Sequence, residues 1–433
     1  MIQNNVKNVG LAEQGEKNIK VAEDNMKALL ELRKEIEEEK PFEGKRISMA
    51  LHITKETAVL VRTLEAGGAK VAIAGCNPLS TQDDVAAALA VSGTRVFGKK
   101  GESDAEYYEN INNVISIEPH ITIDDGGDLI NSLYEKDGPG GLSNDYIGGC
   151  EETTTGIIRL KAMEKDEALK HPMIAVNDND TKHLMDNYYG TGQSTLDGVM
   201  RAMNFMFAGK IVVVSGYGSC GKGVAMRARG LGAKVIVTEV DAFRALQAHM
   251  DGHDVMKMID AAPMGDLFIT VTGDRDIVTL DHVNLMKDGA IICNSGHFDC
   301  EIDIANIGEN ASEIEEIRPF VKAYHFRTDK TTYQASEESF TTKKVYILAD
   351  GRLVNLAAAE GHPSDVMSLS FCGQVLACKY LVENAENLKA GVHSLPPTAD
   401  EKISRLQLKA KGISIDTLTP EQIKYLNSWK VGT

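Results

Sequence analysis

The sequence predicts an α/β protein with two doubly wound parallel-sheet domains and a small C-terminal helical tail. Three observations predict it. Strand-like and helix-like segments alternate in two separate series, a glycine-rich turn opens the second series, and the chain becomes polar around Pro396–Pro397. A length of 433 residues accommodates two or three domains. The expected division is 1–187 with 358–391, then 188–357, then 392–433 as the tail.

Residues 10–40 carry Leu11, Ile19, Ala22, Met26, Leu29, Leu30 and Ile36 among charges, the pattern of an amphipathic helix. EIEEEK (35–40) is its solvated end and Pro41 its stop. ISMALHI then leads into TKETAVLVRTLEAGG, KVAIAG into STQDDVAAALAVSG, and HITIDD supplies a later strand. This is the rhythm of a parallel sheet covered by helices on both faces. Ligands of such sheets sit beyond the carboxyl ends of the strands, where His52, Cys76, Asn77 and Asp125 fall. The second series is KIVVVSG, KVIVTEV, DLFITVTG, AIICNSG and KKVYILAD. RLVNLAAAEGHPSDVMSLSFCGQVLACKYLV reads as a loop entering a long buried helix, and short helical pieces follow to Thr433.

The formal net charge of −17 and pI near 5.2 argue against nucleic acid or anionic membrane as partners, since both need a positive footprint. Cys76, Cys150, Cys220, Cys293, Cys300, Cys372 and Cys378 are an odd, scattered set, the usage of reduced thiols in a cytoplasm. No signal segment opens the chain and no apolar run approaches membrane length. A cytoplasmic protein is expected.

The glycines of GYGSCGKG carry the first chemical signal. Gly216 permits a tight turn after an apolar strand, Gly218 lets the backbone approach a pyrophosphate, and Gly221 lets helix and strand pack closely. Glu239 ends the next strand, where a carboxylate accepts from the ribose hydroxyls of NAD and repels a 2′-phosphate. The second domain is therefore expected to be Rossmann-like and to bind NAD. GYGSCGK also fits a triphosphate loop, but Gly223 stands where the Mg²⁺-binding hydroxyl belongs. Cys293, His297 and Cys300 lack zinc spacing, so no metal is expected.

Polar clusters carry the second signal. LHITKET holds His52, Thr54 and Glu56; IDDGGD holds Asp124, Asp125 and Asp128; CEETTTG holds Glu151, Glu152, Thr153, Thr154 and Thr155. VNDNDTKHLMDN holds Asn177, Lys182, Asp186 and Asn187, with Lys182 and Asp186 spaced to share a helix face. NSGHFD holds His297, and VNLAAAEGHPSD holds Asn355 and His362. Singly, each has an ordinary structural reading as surface ion pair, helix cap or turn former. Beside an NAD site, together, they ask for chemistry.

From about residue 10 onward the chain resembles the S-adenosylhomocysteine hydrolase family. The resemblance rests on LHITKETAVL, GCNPLSTQDDVAAAL, DDGGDL, EETTTG, NDNDTKHLMDN, GYGSCGKG, GHFD and GRLVNL…GHPS in that order. It implies a small nucleoside thioether as substrate, tightly held NAD and a homotetramer. It also implies net hydrolysis: the 3′-hydroxyl is oxidised, homocysteine leaves from C5′ by elimination, water adds, and the ketone is reduced again. The detour is chemically sensible because a thioether on an unactivated carbon leaves poorly, whereas β-elimination beside a carbonyl is feasible.

Carried over by position, the resemblance implies that Lys182 and Asp186 act on the 3′-hydroxyl, Glu152 holds the ribose and Asn177 positions Lys182. A closed site is expected to lower the Lys182 pKa enough to make it a base. Asp125 and His297 would lie near C4′–C5′, with His52 a candidate acid for the leaving thiolate; Asp125 and His52 stay open as the C4′ base. Thr54 and Glu56 would meet the base, with His362 nearby. Thr153, Thr154, Thr155, Asn187, Gly216, Gly218, Gly221, Glu239 and Asn355 would contact NAD.

Four departures stand out. Thr191 replaces a cysteine common in relatives, so no thiol chemistry is expected there; Arg244 replaces an asparagine. Residues 325–344 form a longer connection, read as an exposed loop, and the NSWKVGT ending lacks a Lys- and Tyr-bearing tail, which suggests weaker NAD retention. Glu56, which only accepts hydrogen bonds, favours an adenosyl over an inosyl substrate. The competing readings are an S-inosylhomocysteine hydrolase, a net NAD-dependent oxidoreductase and a non-catalytic NAD-binding regulator.

Overall fold

The computed structural model describes residues 4–135, 142–328 and 341–430. Its strands, in chain order, begin with β1 (Arg46–Ala50), β2 (Lys70–Ala74), β3 (Arg95–Phe97), β4 (Ile121–Asp124), β5 (Gly148–Glu151) and β6 (Pro172–Ala175). Next come β7 (Ile211–Ser215), β8 (Lys234–Thr238), β9 (Asp254–Val255), β10 (Leu267–Thr270) and β11 (Ala290–Asn294). The last are β12 (Glu313–Arg318), β13 (Val321–Thr328), β14 (Thr341–Leu348) and β15 (Gly391–His393).

They form two sheets, ordered β15-β6-β5-β4-β1-β2-β3 and β12-β13-β14-β11-β10-β7-β8-β9. The first is parallel throughout. The second is parallel from β14 to β9, while β13 and β12 add an antiparallel edge. That edge makes the second sheet mixed around its parallel core. It also takes in both ends of the segment read as an exposed loop; residues 329–340 lie outside the described residues.

Both sheets are doubly wound because their strands are apolar on both faces. Along β7, Val212 and Val214 join one core while Val213 joins the core on the opposite face. Ile47 and Met49 of β1 likewise face one core and Ala50 another. Strand order reverses between β1 and β4 in the first sheet and between β7 and β10 in the second. A crevice opens at the carboxyl ends of the strands at each such reversal.

The expected N-terminal helix is two, Ala12–Asn25 and Lys27–Glu39, broken at buried Met26 with no proline or glycine to mark it. The second ends at Lys40, left-handed at φ 51°, before Pro41. β5 escaped the sequence pattern because it is Gly-Gly-Cys-Glu. A Cβ on Gly149 would come within 2.3 Å of Thr122 Oγ1, so close strand packing requires glycine there. The polar tail also divides. β15 pairs with β6, and helix Pro397–Ala410 buries Ile403 and Leu406 in the first core. Helix Pro420–Leu426 exposes Ile423, Tyr425 and Leu426.

Among the described residues, no helix is long and apolar enough to cross a membrane. All seven cysteines are free thiols.

Candidate active site

The two crevices face each other across one cleft of about 900 Å³. Every residue given a role in the reaction or in NAD binding lines it except buried Gly221, whereas Cys76, Asn77, Asp124, Asp128 and Glu151, also singled out in the sequence, do not. The walls meet closely at Gly126, after β4, and His297, after β11. A Cβ on Gly126 would lie 2.2 Å from His297 Nε2, and its φ of +108° also favours glycine.

One wall is built from buried charged side chains. Lys182 lies in the short helix Asp180–His183, and Asp186 opens the π-helical turn Asp186–Gly190, an irregularity common at functional sites. Lys182 Nζ donates to Asn177 Oδ1 at 3.2 Å and Asn187 Oδ1 at 2.8 Å. It also lies 3.6 Å from Glu152 Oε1 and 3.8 Å from Asp186 Oδ1. Asn177 is fixed in turn, donating to Thr154 Oγ1 at 2.9 Å and accepting from Asn187.

Burial penalises the Lys182 ammonium, but Asp186, Glu152 and Asp125 outweigh it, and the pKa rises above the usual lysine value. The expected lowering is therefore not intrinsic to the protein groups. Burial opposes ionisation of Asp186 too, yet Lys182 and His362 draw its pKa below the usual carboxylate value. Its Oδ2 accepts from Ser370 at 2.6 Å, and its Oδ1 lies 2.8 Å from His362 Nδ1. Glu152, whose Oε2 accepts from Gln374 at 2.5 Å, is pushed up to about 7, by burial first.

A second cluster lies beyond the β1–β4 reversal. His52 Nε2 is 3.4 Å from Asp125 Oδ2, and His297 Nδ1 is 3.7 Å from Asp125 Oδ1. Ser80 Oγ lies 2.8 Å from His52 Nδ1 and 3.1 Å from Asn77 O, and its one proton serves one of these acceptors at a time. Burial first, then the neighbouring histidines, lower the His52 pKa to about 4 despite the opposing pull of Asp125. His52 is thus neutral at rest.

Among the described residues, His52, Cys76 and Asp125 are the one group of possible metal ligands whose donor atoms all fall within 4.8 Å of one another. The set weighed from the sequence, Cys293, His297 and Cys300, does not converge in this way. Burial and the adjacent carboxylates raise the Cys76 pKa and keep it a thiol.

At the far end, Thr54 caps helix Lys55–Ala66, accepting from Thr57 N at 3.4 Å. Glu56 in its first turn accepts from Ser364 Oγ at 2.6 Å. His362 sits between Asp186 and Thr191, with Nε2 3.3 Å from Thr191 Oγ1. A thiol does reach Thr191: Cys220 Sγ donates to its hydroxyl at 3.5 Å, and burial raises the Cys220 pKa.

The opposite wall is mostly backbone. Gly216 has φ +101°, and a Cβ on Gly221 would fall 2.0 Å from Gly216 O. Gly218 is open, with only Arg244 Nη1 within reach, 3.8 Å from where its Cβ would be. Glu239 accepts from the amides of Tyr217, Val240 and Asp241 at 2.7, 2.7 and 3.0 Å. Asn355 Nδ2 donates to Ser194 Oγ at 3.1 Å, while its buried Oδ1 has no partner among the described residues. An orphan acceptor beside a glycine cradle fits a dinucleotide with a carboxamide donor.

Sequence patterns did not reveal the supporting shell: Ser80, Ser194, Ser364, Ser370 and Gln374. Three of these lie on helix Ser364–Asn384 at spacings of six and four residues, which read as an ordinary buried helix.

The family described as "S-adenosyl-L-homocysteine hydrolase" matches residues 3–139, and "S-adenosyl-L-homocysteine hydrolase, NAD binding domain" matches 187–361. An adenosylhomocysteinase of Sulfolobus acidocaldarius is 52% identical over 428 residues, covering 99% of each chain. An S-inosyl-L-homocysteine hydrolase of Methanocaldococcus jannaschii is 53% identical over 428 residues, again 99% of each. A solved structure of a dipicolinate synthase from Bacillus halodurans is 15% identical with a TM-score of 0.42, covering 62% of this chain and 88% of that one.

Proposed function

The chain belongs to the S-adenosyl-L-homocysteine hydrolase family and has its NAD-binding domain, and on that premise we propose that it hydrolyses S-adenosyl-L-homocysteine to adenosine and L-homocysteine. The observation that carries this is the meeting of two charged clusters, one around Lys182 and one around His52, opposite a single dinucleotide cradle.

NAD⁺ would be held by the cradle, Glu239 and Asn355, flanked by Thr153, Thr154 and Thr155, and would supply a reversible hydride acceptor whose nicotinamide is positive until it takes the hydride. Glu152 fixes the ribose hydroxyls, and Lys182 takes the 3′-proton with Asp186 as its partner. Because Asp186 and Glu152 hold Lys182 charged, a positive neighbour is what turns it into a base. Asn177 and Asn187 keep Nζ aimed throughout. The ketone would acidify C4′–H, whose proton His52, neutral at rest, takes. The same proton then protonates the departing homocysteine sulfur, so His52 ends as it began. Asp125 and His297 orient the water that replaces the thiol at C5′.

Glu56 reads the exocyclic amine of adenine, and its mismatch with a hypoxanthine oxygen would leave two acceptors facing, roughly 1–3 kcal/mol or more. The inosyl thioether is the second reading, because relatives of both kinds are equally similar to this chain. A domain closure near residues 188–192 and 357–361, a homotetramer and a cytoplasmic setting belong to the same proposal. The test is product analysis: adenosine and homocysteine should form in equal amounts with no net NADH. Free NADH accumulating in proportion to substrate would make the protein an oxidoreductase instead.

A further inference from the structure

Beside Glu56 runs a chain of charges that the proposed reaction does not use. Lys55 Nζ lies 2.8 Å from Glu360 Oε2 and 3.5 Å from Glu56 Oε1. The other oxygen of Glu360 accepts from Arg201 Nη1 at 3.1 Å, and Arg201 Nε donates to Asp197 at 3.1 Å. Arg201 belongs to helix Thr191–Met203 and Lys55 to helix Lys55–Ala66, so Glu360 is gripped from both sides at the crossing between the two sheets. Glu56 and Glu360 line the cleft; Lys55 is outside its lining, although its side chain is only 14% exposed.

The chemistry of these groups is opposite in sign. A carboxylate only accepts hydrogen bonds and an ammonium only donates. A 6-aminopurine offers a donor at position 6. A 6-oxopurine offers an acceptor there and a donor at N1, which a carboxylate and an ammonium side by side would satisfy together. Which of the two neighbours faces the base therefore decides the base. Lys55 is already 3.5 Å from Glu56, so a change of rotamer is enough to bring its ammonium forward.

We propose that Glu360, steadied by Arg201, is a specificity-determining positioning residue: it holds Lys55 out of the base pocket, so that Glu56 alone faces position 6 and the site selects 6-aminopurine nucleosides over 6-oxopurine ones. The inference rests on the reading of the cleft as a purine nucleoside thioether site. Glu360 acts through Lys55 and touches no reacting atom.

The experiment measures kcat/KM for the S-adenosyl and S-inosyl thioethers with the holoenzyme, its Glu360→Gln and Lys55→Met variants, and the double variant. Equilibrium binding of adenosine and inosine is measured in parallel. Glu360→Gln should lower the adenosyl-to-inosyl ratio about threefold to tenfold, mainly through a lower inosyl KM. The double variant should return to the ratio of Lys55→Met. Arg201→Met should shift the ratio the same way by less. An unchanged ratio in Glu360→Gln, an equal loss on both substrates, or a shift that persists without Lys55 would each overturn the proposal, as would a wild-type preference for the inosyl compound. If neither thioether is hydrolysed, the functional reading fails, and the adenosine-to-inosine binding ratio across the same variants still decides the role of Glu360.

Discussion

The two walls of the cleft solve different problems with different materials. The wall around Lys182 and Asp186 places buried side-chain charges within 4 Å of one another and fixes them with amides and hydroxyls. The wall around Gly216 and Gly221 offers backbone amides and the absence of side chains. The first wall is a device for moving protons, so its failures should appear in rate. The second is a device for close approach, so its failures should appear in cofactor binding and stability.

The largest expected effect tests the charged wall. Lys182→Ala should keep the fold and NAD while slowing the oxidation step about 10²–10⁴-fold, the usual cost of a lost general base. Single-turnover formation of enzyme-bound NADH measures it. Formation at the wild-type rate would remove Lys182 from the chemistry.

The next effect is a pH dependence from the same wall. The unfolded imidazole of His52 takes up its proton near 6.5 and the folded one near 4. Between those values the unfolded state binds more protons, so the contribution of His52 to stability is full above 6.5 and is lost as pH falls toward 4. The most this can amount to is about 3 kcal/mol. His52→Asn does not titrate, so its urea midpoint should fall less than that of the wild type between pH 7 and pH 4.5. Parallel pH profiles would mean that the imidazole is not buried neutral.

The smallest effects separate the roles within the glycine wall. Gly221→Ala drives a Cβ to 2.0 Å from Gly216 O, so backbone must shift; about 1–3 kcal/mol of stability and most bound NAD should be lost. Gly218→Ala meets no protein atom closer than 3.8 Å, so its melting temperature without NAD should stay near that of the wild type while NAD affinity falls. Calorimetry with and without NAD distinguishes the two. Equal destabilisation of both apo proteins would show that Gly218 is a folding residue rather than a clearance for ligand.

The sequence alone determined the alternation of elements, the glycine fingerprint with Glu239, and the polar clusters at strand ends, because these depend on local periodicity and on single residues with restricted conformations. It also brought Lys182 and Asp186 close through their short spacing, although Asp186 falls in the π-helical turn after the helix that carries Lys182. It did not show β5, whose glycines are dictated by a neighbour distant in sequence, nor the antiparallel edge formed by β12 and β13. Nor did it show the serines and glutamine of helix Ser364–Asn384, which reach Glu56, Glu152 and Asp186 across 308, 222 and 184 residues. Only the tertiary structure decided the protonation states. Lys182 is charged and His52 neutral because a buried group takes its pKa from whichever charges folding brings beside it, and those neighbours come from different strands of two sheets.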